Sequence, residues 1–327
     1  MKPFLHKFVG KHLLLLLVSF TIISNSFSQS FIFGGKTKWE VGFNFGPSFF
    51  LGDLGGNSGK GTNNIKDMNL EFTKLMKGVF VTAYPNKWLG IRLAADITYL
   101  EGSDDIINTT GIDELWRKQR NLDFKTNIFE AYAAFEIFPT MMFWGSAENG
   151  PKLRPYGLIG AGIFHFNPQG SITDASGNKT WHKLHPLKLE GQGMSEYPES
   201  KPYKLTQFNV PIGAGIKYYA SERINLSTEL LYRKTFTDYI DDVSRNYIDP
   251  NTYSKYLSAS DAALAYKLSD KSIGIIYPGM TRYPADTQRG DSKDGDTYFS
   301  VVLKLGIRLG PVNQSNVMRQ TRCPKFY

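Results

Sequence analysis

The feature that most constrains the fold is a period-two alternation of apolar and polar residues in segments of about ten residues. It is clearest in QFNVPIGAGIKYY, residues 207–219, where Phe208, Ile212 and Ile216 fall on one side and Lys217 falls on the other. Successive side chains of an extended strand point to opposite faces, so this pattern predicts a strand with one apolar and one polar face. The apolar face must then meet either a protein core or lipid.

The same alternation occurs eight times, and the connections between the segments differ in length. The predicted strands are 39–51, 77–84, 89–99, 127–138, 154–166, 207–219, 224–233 and 298–309. Long and shorter connections follow one another in turn, and the last long one spans about 237–296. This pattern predicts an all-β fold, a transmembrane up-and-down antiparallel β-barrel of eight strands, with long extracellular loops and short periplasmic turns. Strands of about ten residues suit a tilted crossing of the hydrocarbon layer.

The two faces of the predicted strands separate charged residues from apolar ones. We expect the polar face to line an enclosed lumen, in which five acids and five bases form a charge network: Glu40, Arg92, Asp96, Glu130, Glu136, Lys217, Glu229, Arg233, Lys304 and Arg308. The lipid-facing positions are expected to include Phe208, Val210, Ile212, Ile216, Leu226, Leu230, Phe299, Val301, Leu303 and Leu305. An eight-stranded barrel is just wide enough for side chains to fill it, so the prediction is a plugged lumen with ion pairs across it.

The alternative is a soluble β-sandwich that exposes the same charges to water. Matched charges and alternating connection lengths disfavour it. Aromatic residues near strand ends also favour a barrel, where they would form interfacial girdles: Trp39, Phe49, Phe50, Tyr84, Trp88, Tyr99, Phe138, Tyr156, Phe166, Tyr218, Tyr219, Tyr232 and Phe236. Pro47 and Pro211 lie inside predicted strands, and each should occupy a bulge or a position without a ladder hydrogen bond.

The N-terminus predicts export. Three lysines precede an apolar run at residues 13–23, which is typical of a cleaved secretory signal peptide over 1–28 rather than an anchor helix. The barrel is then assigned to 29–310 and a periplasmic C-terminal tail to 311–327, with the cell outer membrane as the location. Removing residues 1–28 lowers the formal charge from +8 to +5, which gives no reason to expect a nucleic-acid partner. Cys323 is the single cysteine, so no internal disulfide can form.

Residues that could carry chemistry are few. His165, His182 and His185 could ligate a metal, but their spacing matches no metal motif and packing roles are favoured. Asp291, Asp294 and Asp296 lie close together as calcium ligands would, yet without the order of a calcium-binding loop, so a solvated loop is expected. We therefore predict no enzyme activity, no cofactor and no metal site.

The long connections are rich in aromatic and apolar residues, which disordered segments lack. We expect them to fold over the barrel mouth or to dock on a partner, with a short helix over 261–271 capped by Asp261.

Several ordered blocks resemble one known family, the PorG-type outer-membrane β-barrels of the type IX secretion system. The blocks are GDLGGN (52–57), RNLDFKTNIFE (120–130), RPYGLIGAGIFHFNPQG (154–170), WHKLHPLKLEGQG (181–193), YRKTFTDYIDDVSRNYIDP (232–250) and QRGDSKDGDTYFSV (288–301). The resemblance spans about residues 38–310. It implies an integral outer-membrane protein that contacts lipid and associates with a periplasmic ring lipoprotein and its partner, without catalysis. The 311–327 tail departs from barrels that end at their last strand.

Three function hypotheses remain open from the sequence. The first is an anchor for secretion machinery, with periplasmic contacts at 85–88, at 140–152 and in the tail to Tyr327. The second is a small passive porin. The third is a surface enzyme or adhesin, in which loop residues such as His165 or Asp242 would act. The RGD tripeptide at 289–291 is common by chance and is not expected to have a role.

Overall fold

A computed structural model of the chain describes residues 37–309, apart from 55–72, 108–110, 144–149, 277 and 280–281. The predicted signal peptide, the tail with Cys323 and part of the 140–152 contact segment lie outside the described residues.

The described residues form ten strands and four short α-helices. The strands are β1 Lys38–Leu51, β2 Lys74–Tyr84, β3 Leu89–Ser103, β4 Asp123–Ile137, β5 Leu153–His165, β6 Gln169–Thr173, β7 Lys179–Lys183, β8 Thr206–Tyr219, β9 Ile224–Thr235 and β10 Thr297–Leu309. The α-helices are α1 Ile112–Arg120, α2 Pro139–Met142, α3 Tyr253–Tyr256 and α4 Ala259–Ser269, with 3-10 turns at His185–Leu187 and Pro250–Thr252. None of these helices has the length and apolar character that a bilayer crossing requires.

Eight of the strands close into an antiparallel barrel, which confirms the predicted fold class. β1 to β5 and β8 to β10 each pair with their neighbours in chain order, and β1 pairs with β10 from Trp39↔Leu309 to Leu51↔Thr297. Each predicted segment overlaps one barrel strand. Closure leaves the barrel without a free edge, so each of its eight strands has a neighbouring strand on both sides.

The two ends of the barrel differ. One end, the short-turn end, carries the connection 85–88, the segment 138–152 and the connection 220–223, together with the first residue of β1 and the last of β10. The described parts of all four long connections lie at the opposite end.

β3 and β4 extend further than the alternation predicts, and their pairing continues to Ser103↔Asp123. The β6–β7 hairpin, which the sequence did not predict, continues this sheet outward through the single pair Lys125↔Gln169.

Both strand prolines occupy positions without a pairing partner on one side. Pro47 pairs with Leu75 of β2, whereas the register with β10 skips Gly46 and Pro47 within these described strands. Pro211 pairs with Arg233 of β9, and the register with β5 skips it. No extra residue is inserted at either place, so of the two predicted possibilities the non-bonded position is the one observed.

The long connections fold over the barrel mouth as a cap, which confirms one of the two expectations for them. We define the cap as the described residues of 52–54, 104–122, 166–205 and 236–296. Leu54, Ile240 and Val243 of the cap pack on inward-facing Phe124 and Tyr298 of the strands. A second core lies within the cap and comprises Leu184, Leu187, Leu189, Met194, Ile248, Tyr253, Ala265 and Leu268.

The predicted helix in the last connection exists as α4, but it begins earlier. Its N-cap is Ser258, whose side chain accepts a hydrogen bond from the backbone N–H of Asp261 at 3.2 Å. Asp261 therefore lies in the first helical turn, where a carboxylate is also favourable, and is not the cap.

Candidate functional site

The outer face of the barrel is an apolar belt. Most of the predicted lipid-facing side chains are exposed there, from 40% for Val301 to 70% for Phe208, and Val210 and Leu305 are half-buried. Phe299 differs, since it is only 7% exposed. It has the outward parity, but it stacks on Phe49 with ring centroids 4.8 Å apart and packs beside Leu51 and Tyr232. Contact between neighbouring outward side chains, rather than lipid, covers this ring.

The predicted aromatic girdle is only partly outward. Trp39, Tyr99, Tyr218 and Phe236 are exposed. The prediction is wrong for six of the aromatic residues, which are inside or packed on the lumen core: Phe50, Tyr84, Phe138, Tyr156, Phe166 and Tyr219. Strand parity, and not nearness to a strand end, decides where an aromatic ring points.

The lumen contains two layers of ion pairs. In the layer nearer the short turns, Arg92 lies between two carboxylates. Its Nε donates to Glu136 Oε1 at 2.6 Å, and Nη1 and Nη2 donate to the two oxygens of Glu229 at 2.9 and 2.7 Å. All three side chains are at most 1% exposed. The bidentate geometry and the burial make this the strongest pairing of the lumen.

Lys217 and Lys304 complete this lower layer. Lys217 Nζ lies 2.9 Å from Glu40 Oε1 and 3.4 Å from Glu136 Oε2. Lys304 Nζ lies 3.3 Å from Glu229 Oε2. The layer thus holds three cations against three carboxylates, so its charges balance.

The upper layer is centred on Arg233. Its Nε donates to Glu130 Oε2 at 3.1 Å, and its Nη2 lies 3.5 Å from Asp96 Oδ2. Asn209 Nδ2 donates to the other oxygen of Glu130 at 2.6 Å, and Asn44 Nδ2 donates to Asp96 at 3.0 Å. Neutral amides therefore supply the hydrogen bonds that one cation cannot.

The structure places nine of the ten predicted lumen charges in these two layers and Arg308 elsewhere. Arg308 is half-buried at the short-turn end and pairs with no carboxylate in the described part of the chain. Its guanidinium carbon lies 4.0 Å from the centroid of the Tyr219 ring. Arg308 lies directly across from Glu40 in the β1–β10 register, but Glu40 pairs with Lys217 and the Arg308 side chain packs on Tyr219 instead. The expected role of Arg308 in cross-lumen pairing is therefore wrong.

The network also includes two tyrosines that the sequence analysis assigns to the aromatic girdle and one asparagine that it does not single out. Tyr84 Oη donates to Glu136 at 3.1 Å, Tyr156 Oη donates to Glu229 at 2.5 Å, and Asn225 Nδ2 donates to Glu40 at 2.9 Å. The alternation along their strands points all three side chains inward, and this is the sequence signal for their role. A buried carboxylate needs a hydrogen-bond donor for each oxygen lone pair to which no cation donates.

The cap has its own buried charges, which join connections far apart in the chain. Arg120 pairs with Asp104 through Nε and Nη2 at 2.8 and 3.0 Å. The same guanidinium donates to the carbonyl oxygens of Asp53 at 2.6 Å and Arg289 at 2.7 Å. One side chain therefore ties the first, second and fourth long connections together.

Arg289, in the fourth long connection, joins this connection to the third. Its Nη1 donates to Glu190 Oε1 at 2.7 Å and to the carbonyl oxygen of Asp242 at 2.6 Å. Glu190 also accepts from the backbone N–H groups of Ser244 and Arg245 at 2.9 and 3.1 Å. Arg289 is 3% exposed, so the arginine of the RGD tripeptide is a structural group of the cap.

Several cap carboxyls are buried near one another. Burial raises the pKa of Asp238, Asp241 and Asp296, and repulsion from nearby carboxylates, which include Asp53 in each case, raises it further. Asp296 is fully buried and accepts from the backbone N–H of Ile240 at 2.7 Å, so the expectation of a solvated loop is wrong at this residue. Asp294 is exposed and Asp291 half-buried.

The three candidate histidines serve local hydrogen bonds at separate places. His165 Nδ1 lies 3.0 Å from Thr206 Oγ1 on the outer face, and His185 Nε2–H donates to the Tyr203 carbonyl oxygen at 3.0 Å. His182 lies 3.3 Å from Thr180 Oγ1 on β7. Among the residues that the structure describes, no three side chains of the His, Cys, Asp or Glu types are arranged to hold a metal ion.

Comparisons with known proteins give structural similarity only. No protein-family profile and no curated protein matches the sequence. Ail, the attachment invasion locus protein of Yersinia pestis, has 8% identity and a TM-score of 0.33, and the match covers 84% of this chain and 97% of Ail. Neisserial surface protein A has 8% identity and a TM-score of 0.33, covering 84% and 99%. OprG from Pseudomonas aeruginosa has 10% identity and a TM-score of 0.33, covering 84% and 96%.

The geometry of this chain itself defines its class. An apolar belt surrounds a lumen in which buried charges are paired, and the long connections all leave from one end. These are the properties of barrels that cross a bilayer, whose strands expose apolar residues to lipid and polar residues to the interior. The chain is an eight-stranded β-barrel of the outer-membrane type.

Proposed function

We propose that this barrel is a non-catalytic component of the type IX protein secretion machinery, which anchors the periplasmic ring complex at the outer membrane. The observation that carries the proposal is the closed interior. Ion pairs fill the lumen at two levels, and the cap packs on the inward-facing aromatic residues above them. A barrel that offers no evident solute path is suited to act through its surfaces.

The resemblance of the sequence blocks to PorG-type barrels supports the choice of partner, a periplasmic ring lipoprotein and its associated protein. The candidate contacts are the connection 85–88, the segment 140–152 and the tail 311–327. The tail carries Arg319, Arg322 and Lys325 and no acidic residue, so it would favour a partner with negative charge.

The experiment is a pull-down from detergent-solubilised membranes with an affinity tag in an exposed part of the cap, such as the turn at 174–178. We expect periplasmic ring proteins to be recovered with the barrel. Recovery of the barrel alone, under conditions that keep the ring itself intact, would contradict the proposal.

The alternative is a small porin-like or surface-adhesion barrel with no secretion role. The buried, paired charges of the lumen disfavour the porin. The burial of Arg289 disfavours adhesion through the RGD tripeptide. A barrel whose deletion leaves protein export intact, but abolishes attachment to a surface, would favour this alternative.

A further inference from the structure

The outer face of the barrel contains an apolar groove near the end from which the long connections leave. Its volume is about 590 Å³, and it crosses β2 to β5 and the start of β8. Ala95 and Ala131, opposite each other in the β3–β4 register, form its floor, and Ile97, Phe129 and Ile163 stand beside them. Small side chains among large ones therefore leave a depression in the apolar belt, which we call the outer groove.

The upper edge of the outer groove is polar. Lys77 and His165 line it on opposite sides, and His165 Nδ1 lies 3.0 Å from Thr206 Oγ1. His165 ends β5 and Thr206 begins β8, so this edge lies where the barrel wall meets the long connections. In outer-membrane barrels the long connections lie on the extracellular side of the bilayer.

Above this edge, β4 continues beyond the end of β5 and carries a basic residue on the same outward face. Lys125 has the parity of Phe129, which lies four residues along the strand, or about 13 Å away. Gln169 of β6 lies opposite Lys125, and Lys183 of β7 lies opposite Gln169. Residues that oppose each other point to the same face of a sheet, so Lys125 and Lys183 both point outward.

The β6–β7 hairpin extends this outward face with further cations around a tryptophan. Alternation along β7 places Lys179, Trp181 and Lys183 on one side, and Lys125 Nζ lies 4.1 Å from the centroid of the Trp181 ring. The other side of the hairpin is covered, because Ile172 packs on the core within the cap. We define the basic wall as Lys125, Lys179, Trp181 and Lys183.

Cations outnumber carboxylates on this outward face. Asp123 is the acid with the same parity on β4, and it already pairs with Lys271 and, at 3.9 Å, with Lys179. Lys125 and Lys183 add two positive charges at one level of the sheet. They are two strand spacings apart, roughly 10 Å, which their long flexible side chains can close around one anionic group.

We propose that the basic wall and the outer groove together bind one anionic lipid of the extracellular leaflet. Its headgroup phosphate lies between Lys125 and Lys183, and one of its acyl chains fills the outer groove below. The order of the two sites is that of a lipid, headgroup above chain, and an indole such as Trp181 is favoured at this interface. The inference goes beyond the anchoring role and does not depend on it, because it concerns the opposite side of the membrane.

Lipid is favoured over a second copy of the barrel as the occupant. The outer groove lies in the belt that lipid covers in a membrane-spanning barrel. A symmetric dimer through this face would use the same patch on both subunits and would bring the two basic walls together. Like charges repel at such distances, whereas a phosphate offsets them.

The first test is a native mass spectrometry titration of the full-length, detergent-purified barrel with phosphatidylglycerol and with phosphatidylcholine of identical acyl chains. We expect the wild type to retain phosphatidylglycerol in preference. Retention should be about tenfold weaker for Lys125→Gln combined with Lys183→Gln, because two attractions to the phosphate are lost. Circular dichroism checks that each variant is folded.

The matched control is Lys234→Gln combined with Lys293→Gln, which removes two exposed cations from other places, the outward face of β9 and the fourth long connection. This control should bind both lipids as the wild type does. Equal retention of the two lipids by the wild type, or equal loss in both double variants, would overturn the inference. Displacement of phosphatidylglycerol by an equal concentration of inorganic phosphate would also overturn it, since the wall would then hold a free anion.

The second test fills the outer groove. Ala131→Trp places an indole over its floor, and Ala214→Trp, at another exposed outward alanine on β8, is the control. We expect Ala131→Trp to weaken the retention of phosphatidylglycerol and Ala214→Trp to leave it unchanged. Unchanged retention in Ala131→Trp would overturn the inference. A lipid-free dimer of the wild type that Ala131→Trp dissociates would overturn it in favour of a second copy.

Discussion

At the residue scale, the lumen shows that a charged side chain can be buried only when all of its hydrogen-bonding and ion-pair partners are present. Arg92 serves Glu136 and Glu229 at once, and Tyr156 adds a further donor to Glu229. Each carboxylate gives up water on folding and regains hydrogen bonds from groups that are fixed by the strands. The set stabilises the barrel only while every member is present.

Replacing Arg92 by Leu should therefore destabilise the barrel strongly. The change leaves Glu136 and Glu229 without their shared cation, and the loss of one partner of a buried pair costs about 3–5 kcal/mol. The measurement is the urea midpoint of the barrel in lipid vesicles, followed by tryptophan fluorescence. Lys77→Leu is the control, since it removes an exposed cation of the outer face and leaves no buried carboxylate without its partner. Equal midpoints for both variants would refute the role given to Arg92.

The cap should lose stability as the pH rises. Burial raises the pKa of Asp242 from 3.8 to about 7, although Arg289 and the hydroxyl of Tyr203, which donates to Asp242 Oδ1 at 2.6 Å, oppose the rise. Because the pKa is higher in the folded state, the stabilisation is complete below about pH 4 and is lost as the pH rises through 7. The resulting decrease in the free energy of unfolding amounts to no more than about 4 kcal/mol.

The test compares wild type with Asp242→Asn at pH 5 and pH 8 by urea titration and near-UV circular dichroism. Asn keeps the acceptor for Tyr203 and suits the positive φ of 64° at this position. We expect a smaller difference between the two pH values in the variant. Asp294→Asn, in the same connection but exposed, is the control and should behave as the wild type does. An unchanged pH dependence in Asp242→Asn would show that other carboxyls determine it.

At the scale of the element, each barrel strand carries two different surfaces. In β10, Leu303 faces outward and is 54% exposed, while the next residue, Lys304, is 2% exposed and lies in the lumen. A shift of one residue in register would exchange the two surfaces, so lipid and the charge network together determine the register.

A charge on the outward face should cost most near the middle of β10. Leu303→Arg should destabilise the barrel by about 2–4 kcal/mol, whereas Leu309→Arg, also outward and at the short-turn end, should cost about 0–1 kcal/mol. Urea titration of both variants in vesicles makes the comparison. Equal costs at the two positions would contradict a hydrocarbon layer around Leu303.

At the scale of the whole molecule, the barrel is closed at two levels. The lumen is filled by the paired charges, and the cap is tied across all its connections by Arg120 and Arg289. The long connections are therefore a folded structure with its own core rather than separate loops.

Purified wild-type barrel in a planar bilayer should consequently give no stable conductance steps. Ions would have to break pairs such as Arg92 with Glu229, which are at most 1% exposed. Insertion is confirmed separately by protection of the barrel from protease in vesicles. Reproducible open steps in this preparation would contradict the filled lumen and would favour the porin-like alternative.

Most of the barrel could be predicted from the sequence because its signals are local. Alternation along one strand determines which residues face lipid, and nine of the ten charges chosen on this basis are buried in the lumen. Nearness to a strand end is a poorer guide: it places Tyr84 and Tyr156 in the girdle, whereas their hydroxyls donate to carboxylates inside the lumen. The β6–β7 hairpin and α1 are short elements within the long connections, and the sequence analysis predicts neither of them.

The number of strands, the direction of their faces and the order of short and long connections were determined by the sequence itself, because a period of two and a turn each depend on neighbouring residues. Only the tertiary structure decided which charges meet. Arg289 and Glu190 are 99 residues apart in the chain, and Lys217 and Glu40 are 177 apart. Such pairs depend on how the closed sheet staggers its strands and how the connections pack above it, and no local pattern of residues specifies that geometry.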